Sequence, residues 1–133
     1  MRKLHTGQVY SKKIIVTDKM GERYAELTGD YNAIHLQDDF AENTIFHGKI
    51  VHGMLVAGFI SGIIGNDFPG QGTIYLKQDL EFCHPVRYHD EIDINIRVLD
   101  IVNKKVSLET NCVNQNGITC IKGTALVKVL SKK

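Results

Sequence analysis

The stretch Gly29-Asp30-Tyr31-Asn32-Ala33-Ile34-His35 places a carboxylate and an imidazole five residues apart among turn-forming residues. On a continuous helix such a pair would diverge by about 140°. Convergence therefore calls for an irregular loop, which Gly, Asp and Asn are suited to build. Downstream, Ile50-Val51-His52-Gly53-Met54-Leu55 opens a long apolar segment. If a helix starts there, the amides near Gly53 and Met54 present the positive end of its dipole, where an anion or a developing oxyanion can be held. Glycine at that point lets a ligand approach the backbone closely. A base to activate water, an acid to protonate carbon and donors for an enolate oxygen are the requirements for hydrating an enoyl thioester. Asp30 and His35 are suitable proton carriers, with protonation tuned by burial.

The elements that must position these groups are legible along the chain. Gln8 to Val16 becomes strand-like toward its end, and Thr17 followed by Asp18 supplies an N-cap and a first-turn carboxylate. The helix that follows carries Met20, Tyr24 and Leu27 at helical spacing and stops at Gly29. Asp30 to Lys49 is long for a loop, which marks it as functional or as containing a short helix near Asp38 to Glu42. Ile50 to Ile64 is apolar on nearly every side, which predicts a helix buried within protein. After a break from Gly65 to Gly72 the pattern changes to period two. Ile74, Leu76, Leu80 and Phe82 alternate with polar residues, as do Ile92, Ile94, Ile96 and Val98, then Val106, Leu108, Thr110 and Cys112. Asn116-Gly117 is a hairpin turn leading into a closing strand from Ile118 to Leu130. One strand, a loop region, one apolar helix and a run of antiparallel strands describe a single α+β domain over residues 1–133, its sheet curled around a central helix.

Composition narrows the partners. Sixteen Lys and Arg against 15 Asp and Glu leave a net charge of +1, so no broad field attracts nucleic acid or an anionic membrane. The apolar helix is too short and too interrupted by glycine to span a bilayer. Cys83, Cys112 and Cys120 are odd in number and far apart, and read as small core hydrophobes of a reducing compartment. The start from Met1 to Gly7 is basic but has no apolar signal core, so a cytoplasmic location is expected.

The run Tyr24-Ala25-Glu26-Leu27-Thr28-Gly29-Asp30-Tyr31-Asn32-Ala33-Ile34-His35, then Phe40-Ala41, then Ile50-Val51-His52-Gly53-Met54-Leu55, is similar to the hydratase motif of MaoC-like (R)-specific enoyl-CoA hydratases. Leu80-Glu81-Phe82 with Pro85-Val86 and Asp90 resembles that family's strand segment, so the likeness covers most of the chain. Ala33 stands where the family commonly has proline, and His89 where it commonly has glycine. The resemblance implies the hot-dog fold and hydration of a trans-2-enoyl-CoA to the (R)-3-hydroxyacyl-CoA. It implies that Asp30 and His35 act on the water while the Gly53 amide polarises the thioester. The substrate-binding set it suggests is Asn32, bracing the loop, His52, Met54 and Ser61, the last lining the acyl pocket. No separate cofactor is implied, because coenzyme A is part of the substrate, held by scattered Lys and Arg. Short acyl chains are expected, with Ile60, Ile63 and Ile64 narrowing the pocket. A homodimer is expected because a small curled sheet leaves a strand edge that needs a partner.

Plainer readings stand beside these. Alone, Asp30 reads as an Asx-turn residue and His35 as an ordinary loop histidine, and only the joint pattern carries the catalytic reading. His52 reads as a structural hydrogen-bonding group at the helix entrance rather than a proton carrier, and Ser61 equally as a back-bonding helix serine. His47 with His52, and His84 with His89, lack the i,i+4 spacing of helical metal ligands, so no metal is expected. Asp38-Asp39 is a capping pair, and in Gly58-Phe59-Ile60-Ser61-Gly62 the serine is displaced from a nucleophile-elbow position. Gly70-Gln71-Gly72 is too sparse for a phosphate loop. The competing functions are a thioesterase or an acyl-carrier-protein dehydratase of the same fold, and a non-catalytic acyl-CoA binding module.

Overall fold

In the computed structural model, which describes residues 3–130, the chain runs β1 (Val9–Ile15), α1 (Asp18–Thr28), α2 (Ala33–Leu36), α3 (Asp38–Glu42), α4 (Gly53–Asn66), β2 (Thr73–Gln78), β3 (Glu81–Phe82), β4 (Glu91–Val102), β5 (Lys105–Val113) and β6 (Thr119–Val129). Met1 and Arg2 of the basic start, and residues 131–133 of the expected domain, lie outside the described residues. All pairings are antiparallel, in the order β1-β4-β5-β6-β2, with β3 attached to β6. No helix among the described residues is long and apolar enough to cross a membrane.

The period-two pattern builds the core directly. Ile92, Ile94, Ile96 and Val98 of β4, with Val106, Leu108 and Cys112 of β5, turn one face of the sheet inward and are buried. They pack in one cluster with Val56, Ile60, Ile63 and Ile64 of α4. This is the long helix held against a sheet that the sequence predicts. Local signals also fall where expected: the Thr17 hydroxyl accepts from the Met20 N–H at 3.3 Å, and Gly29 ends α1 with φ 79° and its N–H on the Ala25 carbonyl at 2.8 Å.

Four expectations need correction. Leu27 is 86% exposed, and the buried stripe of α1 is Gly21 and Ala25, because Tyr88 lies so close that a Cβ on Gly21 would sit 2.2 Å from its hydroxyl. In β2 the phase is reversed: Tyr75 packs on the core while Ile74 and Leu76 are exposed, and a register shift between Tyr75 and Lys77 breaks the alternation. Helix α4 is buried on one face only, leaving Met54, Gly58, Ser61 and Gly62 exposed on the other. Of the three cysteines, Cys112 and Cys120 are core residues but Cys83 is exposed, since it follows the two-residue β3 rather than sitting in a long strand.

Candidate active site

The loop after α1 is assembled by short-range hydrogen bonds. The Asp30 carboxylate accepts from the Asn32 N–H at 3.3 Å, and the Asn32 side chain accepts from the Ile34 N–H at 3.2 Å, capping α2. This four-residue helix, which the sequence reading does not contain, carries His35. Its only sequence signal is the Asn32 cap, and four residues are too few for a periodic pattern. The turn it supplies brings the imidazole back beside Asp30.

The two histidines hold each other in place. His35 Nδ1 lies 2.9 Å from the Ile50 carbonyl. A carbonyl only accepts, so Nδ1 carries a proton, and in the one-proton form of the ring Nε2 is the nitrogen that keeps a lone pair. His52 Nε2 donates to the Asp30 carbonyl at 3.0 Å, which ties the start of α4 to the Asp30 turn. The rings stack with centroids 4.0 Å apart and 27° between planes, and the Tyr24 ring sits 4.8 Å from that of His52. His52 is only 2% exposed. Desolvation is the main influence lowering its pKa, opposed by the hydrogen bond to Asp30, so the ring stays neutral. Its Nδ1 is buried without a hydrogen-bond partner among the described residues.

Asp30, His35 and His52 each offer a donor atom within 4.8 Å of the others, which raises the question of a metal. The rings are stacked, His35 holds the Ile50 carbonyl through Nδ1, and the remaining His52 nitrogen, Nδ1, has almost no accessible surface, which leaves little room for an ion on it. That arrangement does not suit a tetrahedral ion.

Asp30, His35 and His52 form one wall of a cavity of about 470 Å³ whose apolar side includes Phe46, Met54, Phe82 and Ile121. Gly53 also lines it, at the first position of α4, and the N–H groups of Gly53 and Met54 have no protein acceptor among the described residues. A Cβ on Gly53 would lie 2.6 Å from the Phe82 ring, so glycine is what admits that ring against the helix start.

The remaining expected residues are dispersed. Asn32 caps α2 and is not part of the cavity wall, and Ser61 is exposed on the outward face of α4, also outside the cavity. A step of 100° per residue from buried Ile60 carries Ser61 away from the sheet. Ile60, Ile63 and Ile64 do not narrow the cavity either, because they belong to the core between α4 and the sheet. Phe82 of the short β3 and residues 83–86 after it supply a wall that the sequence reading does not place in the site.

A model described as MaoC like domain matches residues 2–119. The chain is 40% identical over 108 residues to the (R)-specific enoyl-CoA hydratase of Aeromonas caviae, covering 80% of this chain and 81% of that one. It is 36% identical over 127 residues to the 3-hydroxybutyryl-CoA dehydratase of Methylorubrum extorquens, covering 95% and 80% respectively. Among solved structures, the (R)-hydratase from A. caviae involved in PHA biosynthesis superposes with a TM-score of 0.93 at 34% identity, over 98% of this chain and all of that one.

Proposed function

This chain belongs to the family of MaoC-like domains, with the hot-dog fold, and from that premise we propose that it hydrates trans-2-enoyl-CoA to (R)-3-hydroxyacyl-CoA, reversibly. The observation that carries the reading is the convergence of Asp30 and His35 on one cavity wall beside the unpaired amides of Gly53 and Met54. With its Nδ1 proton on Ile50, His35 offers Nε2 as the base that takes a proton from water, while the Asp30 carboxylate orients that water. The oxygen bonds to C3, the C2–C3 π electrons move toward the thioester, and the resulting enolate oxygen is held by the Gly53 N–H at the start of α4. Return of the proton from His35 to C2 on the same face completes the addition of one water. No cofactor beyond the coenzyme A of the substrate enters this scheme.

The substrate reading is sharpened by two points. A relative is named for a four-carbon 3-hydroxyacyl thioester, and the cavity of about 470 Å³ is lined by large side chains at Phe82 and Phe46, so short acyl groups are the proposed substrates. We also infer a homodimer. Strand β2 ends the sheet with Ile74 and Leu76 exposed, and the outward stripe of α4 around Gly58 and Gly62 has small residues that permit close packing. Light scattering at micromolar concentration should give twice the 14.9 kDa chain mass. A cytoplasmic location goes with the three unpaired cysteines.

The deciding experiment is incubation with crotonyl-CoA while the absorbance of the conjugated thioester is followed, with chiral chromatography of the product. Loss of absorbance with formation of the (R) alcohol is expected. Chiefly (S) alcohol, or thioester cleavage without hydration, would overturn the proposal.

A further inference from the structure

Arg87 is placed oddly for a half-buried guanidinium. It makes no ion pair among the described residues, and instead donates Nη1 to the carbonyls of Gly48 at 3.1 Å and Lys49 at 3.2 Å, and Nη2 to that of Phe46. Those carbonyls belong to a stretch with neither helix nor strand, where Gly48 has φ 153°. Irregular backbone of this kind has no ladder to satisfy its acceptors. A planar fork with five donors can serve several at once, which a single ammonium cannot.

The same stretch continues into Ile50, and both flanks of that residue are tied down. Its N–H donates to the Ile34 carbonyl at 3.1 Å, and the Val51 N–H donates to the Val86 carbonyl at 2.7 Å. The Ile50 carbonyl is therefore aimed at His35 Nδ1 by a segment anchored on residues 86 and 87. Tyr88 reaches the same histidine by a second route, its hydroxyl donating to the His35 carbonyl at 2.8 Å. The Tyr88 ring is itself confined, with Gly21 against its hydroxyl and the Lys49 ammonium 5.4 Å from its centroid. Arg87 is in turn fixed at its own N–H, which donates to the Asp90 carboxylate at 2.8 Å.

We propose that Arg87 and Tyr88 are positioning residues that hold His35 in its Nδ1–H tautomer and orientation, Arg87 through the carbonyls of residues 46–50 and Tyr88 through the His35 backbone. Neither side chain needs to touch substrate for this role. The proposal rests on the hydratase reading for its rate effects, but its structural content stands apart from that reading. A His35 ring free to turn would offer its lone pair in the wrong place, and a displacement of about 1 Å at a reacting group can lower a rate by as much as 10²-fold.

The test compares Arg87→Lys and Tyr88→Phe with the wild-type protein. Both changes conserve bulk, so each variant is expected to fold, with kcat for crotonyl-CoA lowered about 10-fold or more and KM within about twofold. With 15N-histidine labelling, the wild-type protein should show an exchange-protected imidazole N–H that disappears in His35→Gln and is therefore His35 Nδ1–H. That signal should weaken or vanish in both variants. Retention of the signal and of wild-type kcat in both variants would overturn the proposal, as would a fall in thermal midpoint with kcat unchanged, which is what a mere loop anchor gives. If Arg87→Lys fails to fold, Tyr88→Phe decides by the same two readouts. A wild-type protein inert toward crotonyl-CoA would refute the hydratase reading, while the imidazole signal would still decide whether these residues hold His35.

Discussion

The sheet from Glu91 to Val129 and the segment from Gly29 to Gly53 are stabilised in different ways. In the sheet, each inward residue of β4 does the same job as the next, and Ile92, Ile94, Ile96 and Val98 are all fully buried in one cluster. In the segment, the turns and the two histidines are held by single hydrogen bonds, each with its own partner: Asp30 to Asn32, Asn32 to Ile34, His35 to Ile50, His52 to Asp30. Repetition makes the sheet tolerant of change in any one detail but sensitive in total stability. Individual bonds make the segment sensitive in geometry, and among the described residues only Val51 of this segment joins the core cluster.

That contrast predicts where a substitution will be felt. The largest effects should come from Asp30→Asn and His35→Ala, each lowering kcat about 10² to 10⁴-fold in steady-state hydration assays. If the two groups act on one water, the double variant should lose much less than the product of the single losses. Asp30→Asn preserves the acceptor for Asn32 and should leave the thermal midpoint near wild type. His35→Ala removes the bond to Ile50 and the stacking on His52, and should cost on the order of 1 kcal/mol in denaturant unfolding. Stable variants hydrating at wild-type rate would remove the mechanism altogether.

In the sheet the result should invert. Ile94→Ala deletes a fully buried side chain and should cost about 2–5 kcal/mol of unfolding free energy, with kcat per folded molecule unchanged. A large fall in kcat without loss of stability would break the division between the regions. Thr17→Ala, which removes the α1 cap outside the cavity lining, should cost about 1 kcal/mol with no change in rate.

The smallest effect concerns pH. His52 has its pKa lowered in the folded protein, chiefly by burial, against an ordinary value of 6.5. The unfolded chain therefore binds its proton first as pH falls, so the contribution of neutral His52 to stability is present above 6.5 and lost as pH drops through the lower folded value. Thermal midpoints measured from pH 7.5 downward (roughly a unit above the ordinary histidine value) should decline less steeply in His52→Gln than in the wild-type protein. An unchanged slope would mean that His52 is not held neutral by the fold.

Much of this architecture can be read from residue order because the signals involved are local. A cap at Thr17, a stop at Gly29, the five-residue α3 from Asp38 and the alternation along β4 and β5 each depend on neighbours within a turn or two. Asp30, His35 and Gly53 stand out only jointly, as a carboxylate and an imidazole in one turn-forming loop ahead of a glycine that opens an apolar helix, and all three line the cavity. The rest depended on contacts between distant parts of the chain. Whether α4 buried one face or all of them depended on how far the sheet curled around it, and that placed Ser61 outside and Ile60 inside. The phase of β2 was decided by its bulge against β6. The proton on His35 Nδ1 was decided by Ile50, fifteen residues away, and the place of Tyr88 by Gly21 from another element. A sequence carries the periodicity of each element in its own neighbours, but a hydrogen bond across the fold has no periodic signature, and only the packed chain determines which carbonyl an imidazole meets.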